Sequence, residues 1–167
     1  MAKAIRIHEC GGSDRMMFED VDVGEPGAGE ARIRHTAIGL NFIDVYFRTG
    51  LYPSPSGLPL TLGSEAAGVV DAVGEGVDWL KAGDRVAYAG PMGAYSTERL
   101  VPADRLVRIP DGVSDEQAAA MMLKGMTAEY LLRRTYPVKK GDIVLNHAAA
   151  GGVGLILGQW ANHLGAT

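Results

Sequence analysis

The sequence predicts a β-rich, barrel-like domain followed by the opening of an α/β domain. Three observations carry that reading. Up to Pro110, short apolar and alternating segments are separated by glycine and proline turns. Beyond Pro110 the apolar period lengthens to that of a helix. The final stretch, NHAAAGGVGLILGQWANHLGAT, runs strand end, glycine-rich turn and helix, the first half of a βαβ unit.

Lys3 to His8 opens the β part as a strand. In EARIRHTAIG, Arg32, Arg34 and Thr36 alternate with Ile33, His35 and Ala37, the period-two pattern of a half-buried strand. EAAGVVDAVG runs into the turn EGV, GDRVAYA follows a Gly-Asp turn, and YSTERLV leads to DRLVRIP. Many short strands with such turns fit a sheet that closes on itself. One helix interrupts them, Phe42 to Thr49, with Asn41 placed to cap its start and Gly50 to stop it.

The helical part opens in SDEQAAAMMLKGMTAEYLLRRTYP, where Ser114 and Gln117 have capping-box spacing and Gly125 is expected to break or bend the helix. PVKKGDIVLNHAAAGGVG then gives a turn, a short apolar strand near Ile143 to Asn146, and the glycine loop. In the last helix Val153, Ile156, Leu157, Trp160, Ala161 and Leu164 share one apolar face, Gly165 ends it, and Ala166-Thr167 begins a further strand. The boundary falls near Lys124, giving 1–124 as the β domain and 125–167 as an incomplete α/β domain.

Composition narrows the function classes. The 167 residues are 47% hydrophobic and 22% charged with net charge −4, which argues against a surface for nucleic acid or acidic membranes. One cysteine, Cys10, allows no intrachain disulfide and no cysteine-rich zinc lobe. The N-terminus lacks the apolar core of a signal peptide, and no run of ~18 apolar residues occurs, so the expected setting is cytoplasmic.

The turn from Ala149 to Gly154 fits the dinucleotide fingerprint with Ala149 in place of the first glycine. Gly151 would let a pyrophosphate approach the backbone, Gly154 would let the helix pack closely, and free N–H groups at the helix start suit an anion. The alternative is an ordinary strand-to-helix turn; the flanking strand and helix favour binding. The residue that reads the ribose lies ~20 positions further on, past Thr167.

Three segments, AIGLNFIDVYFRTGLYP, GSEAAGVVDAVGEGVDWLKAGDRVAY and AAAMMLKGMTAEYLLRRTY with HAAAGGVGL, closely resemble the zinc-independent NADPH:quinone oxidoreductases. These form the zeta-crystallin-like branch of the medium-chain dehydrogenase/reductases. The resemblance spans essentially the whole chain, and family members are roughly twice as long. It implies a GroES-like catalytic domain over 1–124 and the start of a truncated Rossmann NADPH-binding domain over 125–167. Zinc-dependent relatives place a cysteine near 41, Gly-His-Glu near 63–65 and four cysteines near 90. Asn41, Gly63-Ser64-Glu65 and no cysteine stand there, so no metal site is expected.

The implied chemistry is hydride transfer from NADPH to a quinone, which needs close stacking and a donor at the developing oxyanion but no nucleophile. By the resemblance, Asn41, Tyr46 and Tyr52 line the substrate cleft, Tyr52 in the proline-flanked loop GLYPSPSG. Phe42, Ile43 and Asp44 lie along the nicotinamide end, and Lys124, Thr127 and Tyr130 face them across the cleft. Ala149, Gly151, Gly152, Val153 and Gly154 hold the pyrophosphate, and His147 ends the strand beside it. Plainer roles stand against these: Asn41 as a helix cap, the tyrosines as core filling, Asp44 as a first-turn acid, Lys124 as a solvated charge, His147 as a core-edge histidine bonded to backbone. The expected partners are a small quinone or enone and, in the full-length enzyme, a second subunit in a homodimer. Competing functions are an enone or alkenal double-bond reductase, a structural crystallin-like protein, and an inactive truncated chain.

Overall fold

The alternating segment EARIRHTAIG becomes β3 (Glu30–Gly39) in the computed structural model, which describes residues 1–54 and 56–167. Pro55, in the loop GLYPSPSG, lies outside the described residues. Ala31 and Ile33 are fully buried while Arg34 and Thr36 face solvent, as period two requires. Two compact units form, Met1–Ala120 and Met121–Thr167.

In the first unit β3 belongs to a five-stranded antiparallel sheet. Its partners are β5 (Glu65–Val73), β6 (Arg85–Ala89), β7 (Glu98–Pro102) and β8 (Val107–Arg108), in the order β7-β3-β5-β6-β8. The β3–β5 ladder shifts register between Arg32 and Ile33 and again between His35 and Ala37. A second sheet has the order β2-β1-β4, from β1 (Ala2–Ile7), β2 (Met17–Val21) and β4 (Leu60–Thr61). Ile33, Val70, Val86, Tyr88 and Val101 anchor the main core. Helix α1 (Phe42–Thr49) seats Phe47 against a smaller cluster of Ile7, Leu60 and Leu62.

Helix α2 (Asp115–Tyr130) begins as its sequence predicts. The Ser114 N–H donates to Gln117 Oε1 at 2.9 Å and the Gln117 N–H donates to Ser114 Oγ at 3.2 Å. Gly125 does not break it. A single helical glycine costs only ~1 kcal/mol, and the helix continues until a π-helical turn at Leu131–Thr135. Helix α3 (Gly152–His163) packs Leu157, Trp160 and Leu164 with Leu132, Val138 and Ala161. Gly165, at φ +86°, ends it in the left-handed region.

The strand expected near Ile143 to Asn146 is not formed. Asp142 and Val144 exchange two backbone hydrogen bonds with Thr167, and Ile143 and Leu145 are 90% and 82% exposed. Apolar composition marks a segment that can pair, but a strand exists only with a ladder. No helix among the described residues is long and apolar enough to cross a membrane.

His35 shows how the first unit joins its layers. Nδ1–H donates to the Ser96 carbonyl at 2.7 Å, leaving Nε2 to accept from the Tyr88 hydroxyl at 2.9 Å. Burial lowers its pKa from 6.5 to about 4, and the nearby Arg99 charge adds to the effect. The unfolded chain therefore binds the proton more readily than the folded one. Stability from the neutral imidazole is complete above pH ~6.5 and is lost as pH falls toward 4, to a limit of about 3 kcal/mol. His35→Asn should lower stability at pH 7 yet flatten its decline between pH 6.5 and 4.5. Denaturant midpoints across that range test this, and parallel declines in both proteins would count against it.

Candidate functional site

The site in the first unit starts where β3 ends. Gly39 pairs with Glu65, the first residue of β5, and a β-carbon at Gly39 would stand 2.3 Å from Glu65 Cγ and 2.4 Å from the Ala119 carbonyl oxygen. Only glycine leaves room for that carboxyl group. Glu65 is fully buried, and Asn41 Nδ2 donates to its Oε1 at 2.8 Å.

Asn41 also caps α1. Its side chain accepts from the Asp44 N–H, while the Asn41 N–H donates to Asp44 Oδ2 at 3.1 Å. Asp44 is buried and takes two further hydroxyl donors: Ser64 Oγ to Oδ1 at 2.5 Å and the Tyr95 hydroxyl to Oδ2 at 2.8 Å. Burial first, then the neighbouring Asp44 carboxylate, raises the Tyr95 pKa above the usual tyrosine range. The Asp44 carboxylate is thus committed to holding the first turn of α1.

The same helix presents an aromatic face. The Phe42 and Tyr46 rings meet edge to face at 5.4 Å, and Tyr46 and Tyr52 are tilted at 5.3 Å. The Tyr52 N–H donates to the Tyr46 carbonyl, which ties the following loop to the helix. Phe42 is 71% exposed and Tyr52 43%, whereas Ile43 and Tyr46 are half-buried. The rings of Phe42, Tyr46 and Tyr52 therefore run in a row along one side of α1, with Asn41 at its N-terminal end.

In the second unit the glycine loop precedes α3, with Gly151 as N-cap. A β-carbon at Gly154 would lie 2.3 Å from the Ala148 carbonyl oxygen, so this position must be glycine for the helix to follow the loop. At Gly152 the added carbon would meet the Lys124 side chain, 2.7 Å from Cδ, which places Lys124 against the loop. Ala149, Gly151 and Gly152 are exposed, and Val153 is half-buried. Thr127 spends its hydroxyl on the Leu123 carbonyl at 2.7 Å, and Tyr130 is 46% exposed. His147 is exposed, which overturns its reading as a core-edge histidine. Exposed backbone N–H groups at a helix start beside a lysine make a setting that fits a pyrophosphate.

Glu65 as a partner for Asn41, and Ser64 and Tyr95 as partners for Asp44, escape sequence reasoning. The one local signal is an acid leading the apolar run EAAGVV, where an exposed position has no evident reason. Gly39→Ala should destabilise the first unit by about 3 kcal/mol, because one of the clashing atoms belongs to backbone. Thermal unfolding measures this; an unchanged midpoint would mean that β3 and β5 separate freely here.

Comparison with known proteins matches this architecture. The alcohol dehydrogenase GroES-like domain family matches residues 27–111. A quinone oxidoreductase of Pseudomonas aeruginosa is 56% identical over 99% of this chain and 51% of its own length. A 2-haloacrylate reductase of a Burkholderia species is 51% identical over all of this chain and 52% of its own. The crystal structure of Escherichia coli quinone oxidoreductase complexed with NADPH superposes with a TM-score of 0.94 at 49% identity, over 99% of this chain and 51% of that one. The chain spans about half the length of the curated relatives it matches. It belongs to the alcohol dehydrogenase GroES-like family, in the quinone oxidoreductase branch of the medium-chain dehydrogenase/reductases.

Proposed function

We propose that this chain supplies the substrate-facing surface and the pyrophosphate loop of an NADPH-dependent quinone reductase that needs no catalytic metal. One observation carries the reading: the Asn41 amide is anchored by Glu65 at the edge of an aromatic face made by Phe42, Tyr46 and Tyr52. A flat π surface accepts another planar ring, and an amide or phenol donor stabilises charge on a carbonyl oxygen. Where zinc-dependent relatives carry a cysteine, the Asn41 amide donates to a buried carboxylate, a pairing that leaves no soft ligand for zinc.

NADPH, when bound, supplies the hydride. In this reading Asn41 and Tyr52 hold the quinone oxygen, and Tyr46 orients the Tyr52 ring. Phe42 and Ile43 flank the nicotinamide end, and Asp44 serves there by fixing the first turn of α1. Lys124, Thr127 and Tyr130 take the nucleotide side, with the pyrophosphate at Ala149, Gly151, Gly152, Val153 and Gly154. A division into 1–124 and 125–167 belongs to the same proposal, supported by the nearby break between compact units after Ala120. So do the homodimer and the cytoplasmic setting that the resemblance implies. Likeness to a 2-haloacrylate reductase favours a second reading, in which the same donors serve a conjugated double bond.

The test is NADPH oxidation by the intact protein with a simple quinone and with an alkenal. Tyr52→Phe should lower kcat by up to ~10²-fold while leaving NADPH affinity nearly unchanged, since its hydroxyl serves the substrate oxygen. Unaltered turnover with several quinones would return Tyr52 to a packing role. Saturable NADPH binding with no oxidation by either acceptor would remove the reading.

A further inference from the structure

We infer that Glu65 is a positioning residue whose buried carboxylate fixes the orientation of the Asn41 amide; the inference rests on the reading that Asn41 faces substrate. Glu65 is 0% exposed and is held on both sides, by Gly39 of β3 and Ala89 of β6. Its place exists only because residue 39 has no β-carbon, which would stand 2.5 Å from Oε1 itself. A methionine of similar volume would fill that space without desolvating a carboxyl group, so stability alone is a poor reason for an acid there.

An asparagine amide has two opposite ends, a donor nitrogen and an acceptor oxygen, and a half-turn about its last torsion exchanges them. Here both ends are specified. Nδ2 faces Glu65 at 2.8 Å, and the side chain accepts from the first turn of α1 in the capping box. Asp44, clamped by Ser64 and Tyr95, keeps that turn in place. Removing the acceptor at Glu65 frees the amide to turn, and a donor aimed at a developing oxyanion then spends part of its time presenting the wrong atom. The effect falls on turnover more than on substrate capture, because the bond strengthens as charge develops.

Two substitutions separate orientation from folding. Glu65→Gln retains an oxygen acceptor, and Glu65→Met keeps volume without one. In nitrogen–proton spectra of this chain, the Asn41 side-chain amide protons should be shifted and slow to exchange in the parent. They should stay so in Glu65→Gln and become solvent-like in Glu65→Met. Identical Asn41 signals in the parent and Glu65→Met would overturn the inference, as would fast exchange in the parent, which remains readable even where Glu65→Met fails to fold. In the intact protein's quinone assay, Glu65→Met should lower kcat about tenfold or more with KM for quinone little changed. In an Asn41→Ala background it should add less than about twofold, because the two act as one unit. Additive losses would show a structural role for Glu65 and overturn the inference. Full activity in Asn41→Ala alone would instead sink the placement of Asn41 in the cleft, and the spectra would still report whether Glu65 orients its amide.

Discussion

The absence of a β-carbon at Gly39 is the constraint around which the first unit is arranged. At that point the end of β3, the start of β5 and the carbonyl of Ala119 converge to distances that no other residue permits. The space so released holds the carboxyl group of Glu65, and Glu65 in turn receives the Asn41 amide. The next residue after Asn41 begins α1, so the helix carrying Phe42, Tyr46 and the Tyr52 contact starts from a point set by sheet packing. The aromatic face inherits its position from the core rather than from the loop that follows it.

Two polar clusters in this unit, around Asp44 and His35, are matched donor to acceptor away from solvent, which ties together the elements they join. Asp44 receives a backbone N–H and two hydroxyls, and His35 bridges a carbonyl and a phenol. A third cluster lies nearer the surface: half-buried Asp115 accepts from the solvent-facing Thr36 hydroxyl at 2.5 Å and from Arg85 Nε at 2.8 Å. The Thr36 hydroxyl first, and then Arg85, lower the Asp115 pKa. Each set joins elements distant in sequence, and a buried donor or acceptor left unmatched costs 1–3 kcal/mol by typical measure, so the sets resist sliding of one element past another. Such bracing suits the role proposed for Asn41, a donor held at a fixed point while charge develops.

What was legible in the sequence is what local chemistry decides. The alternation of β3, both ends of α1 and the Ser114–Gln117 capping box all follow from residues within a few positions of one another. The donor to Glu65 lies 24 residues away, and the Tyr95 donor to Asp44 lies 51 away, so no spacing rule finds them. The two register shifts between β3 and β5 are equally silent: the first leaves Asp71 of β5 without a counterpart and the second Thr36 of β3, and both depend on how distant segments pair. Gly125 misleads in the other direction, because one glycine costs a helix running Asp115–Tyr130 only ~1 kcal/mol. The segment from Ile143 to Asn146 has strand composition, but its backbone pairs only at Val144, with Thr167, too little to make a ladder; the propensity of a segment is not its state.

The glycine loop teaches a sharper distinction, because its glycines are not equivalent. Gly154 is demanded by the fold: the Ala148 carbonyl oxygen occupies the space beside it, and Asn146 Nδ2 donates to the Gly154 carbonyl at 3.0 Å to fix the turn. Ala148 itself sits at φ +53°, a strained setting for alanine that persists because these contacts over-determine it. A glycine at 154 therefore speaks for close packing of helix on loop and says nothing about a ligand. Gly151 differs. A β-carbon there would lie 3.1 Å from the same oxygen, tight but not prohibitive, and the residue is exposed at the N-cap of α3. Packing does not exhaust the reason for glycine at 151, and the proposed pyrophosphate site would supply another, an open approach to the backbone N–H groups that follow.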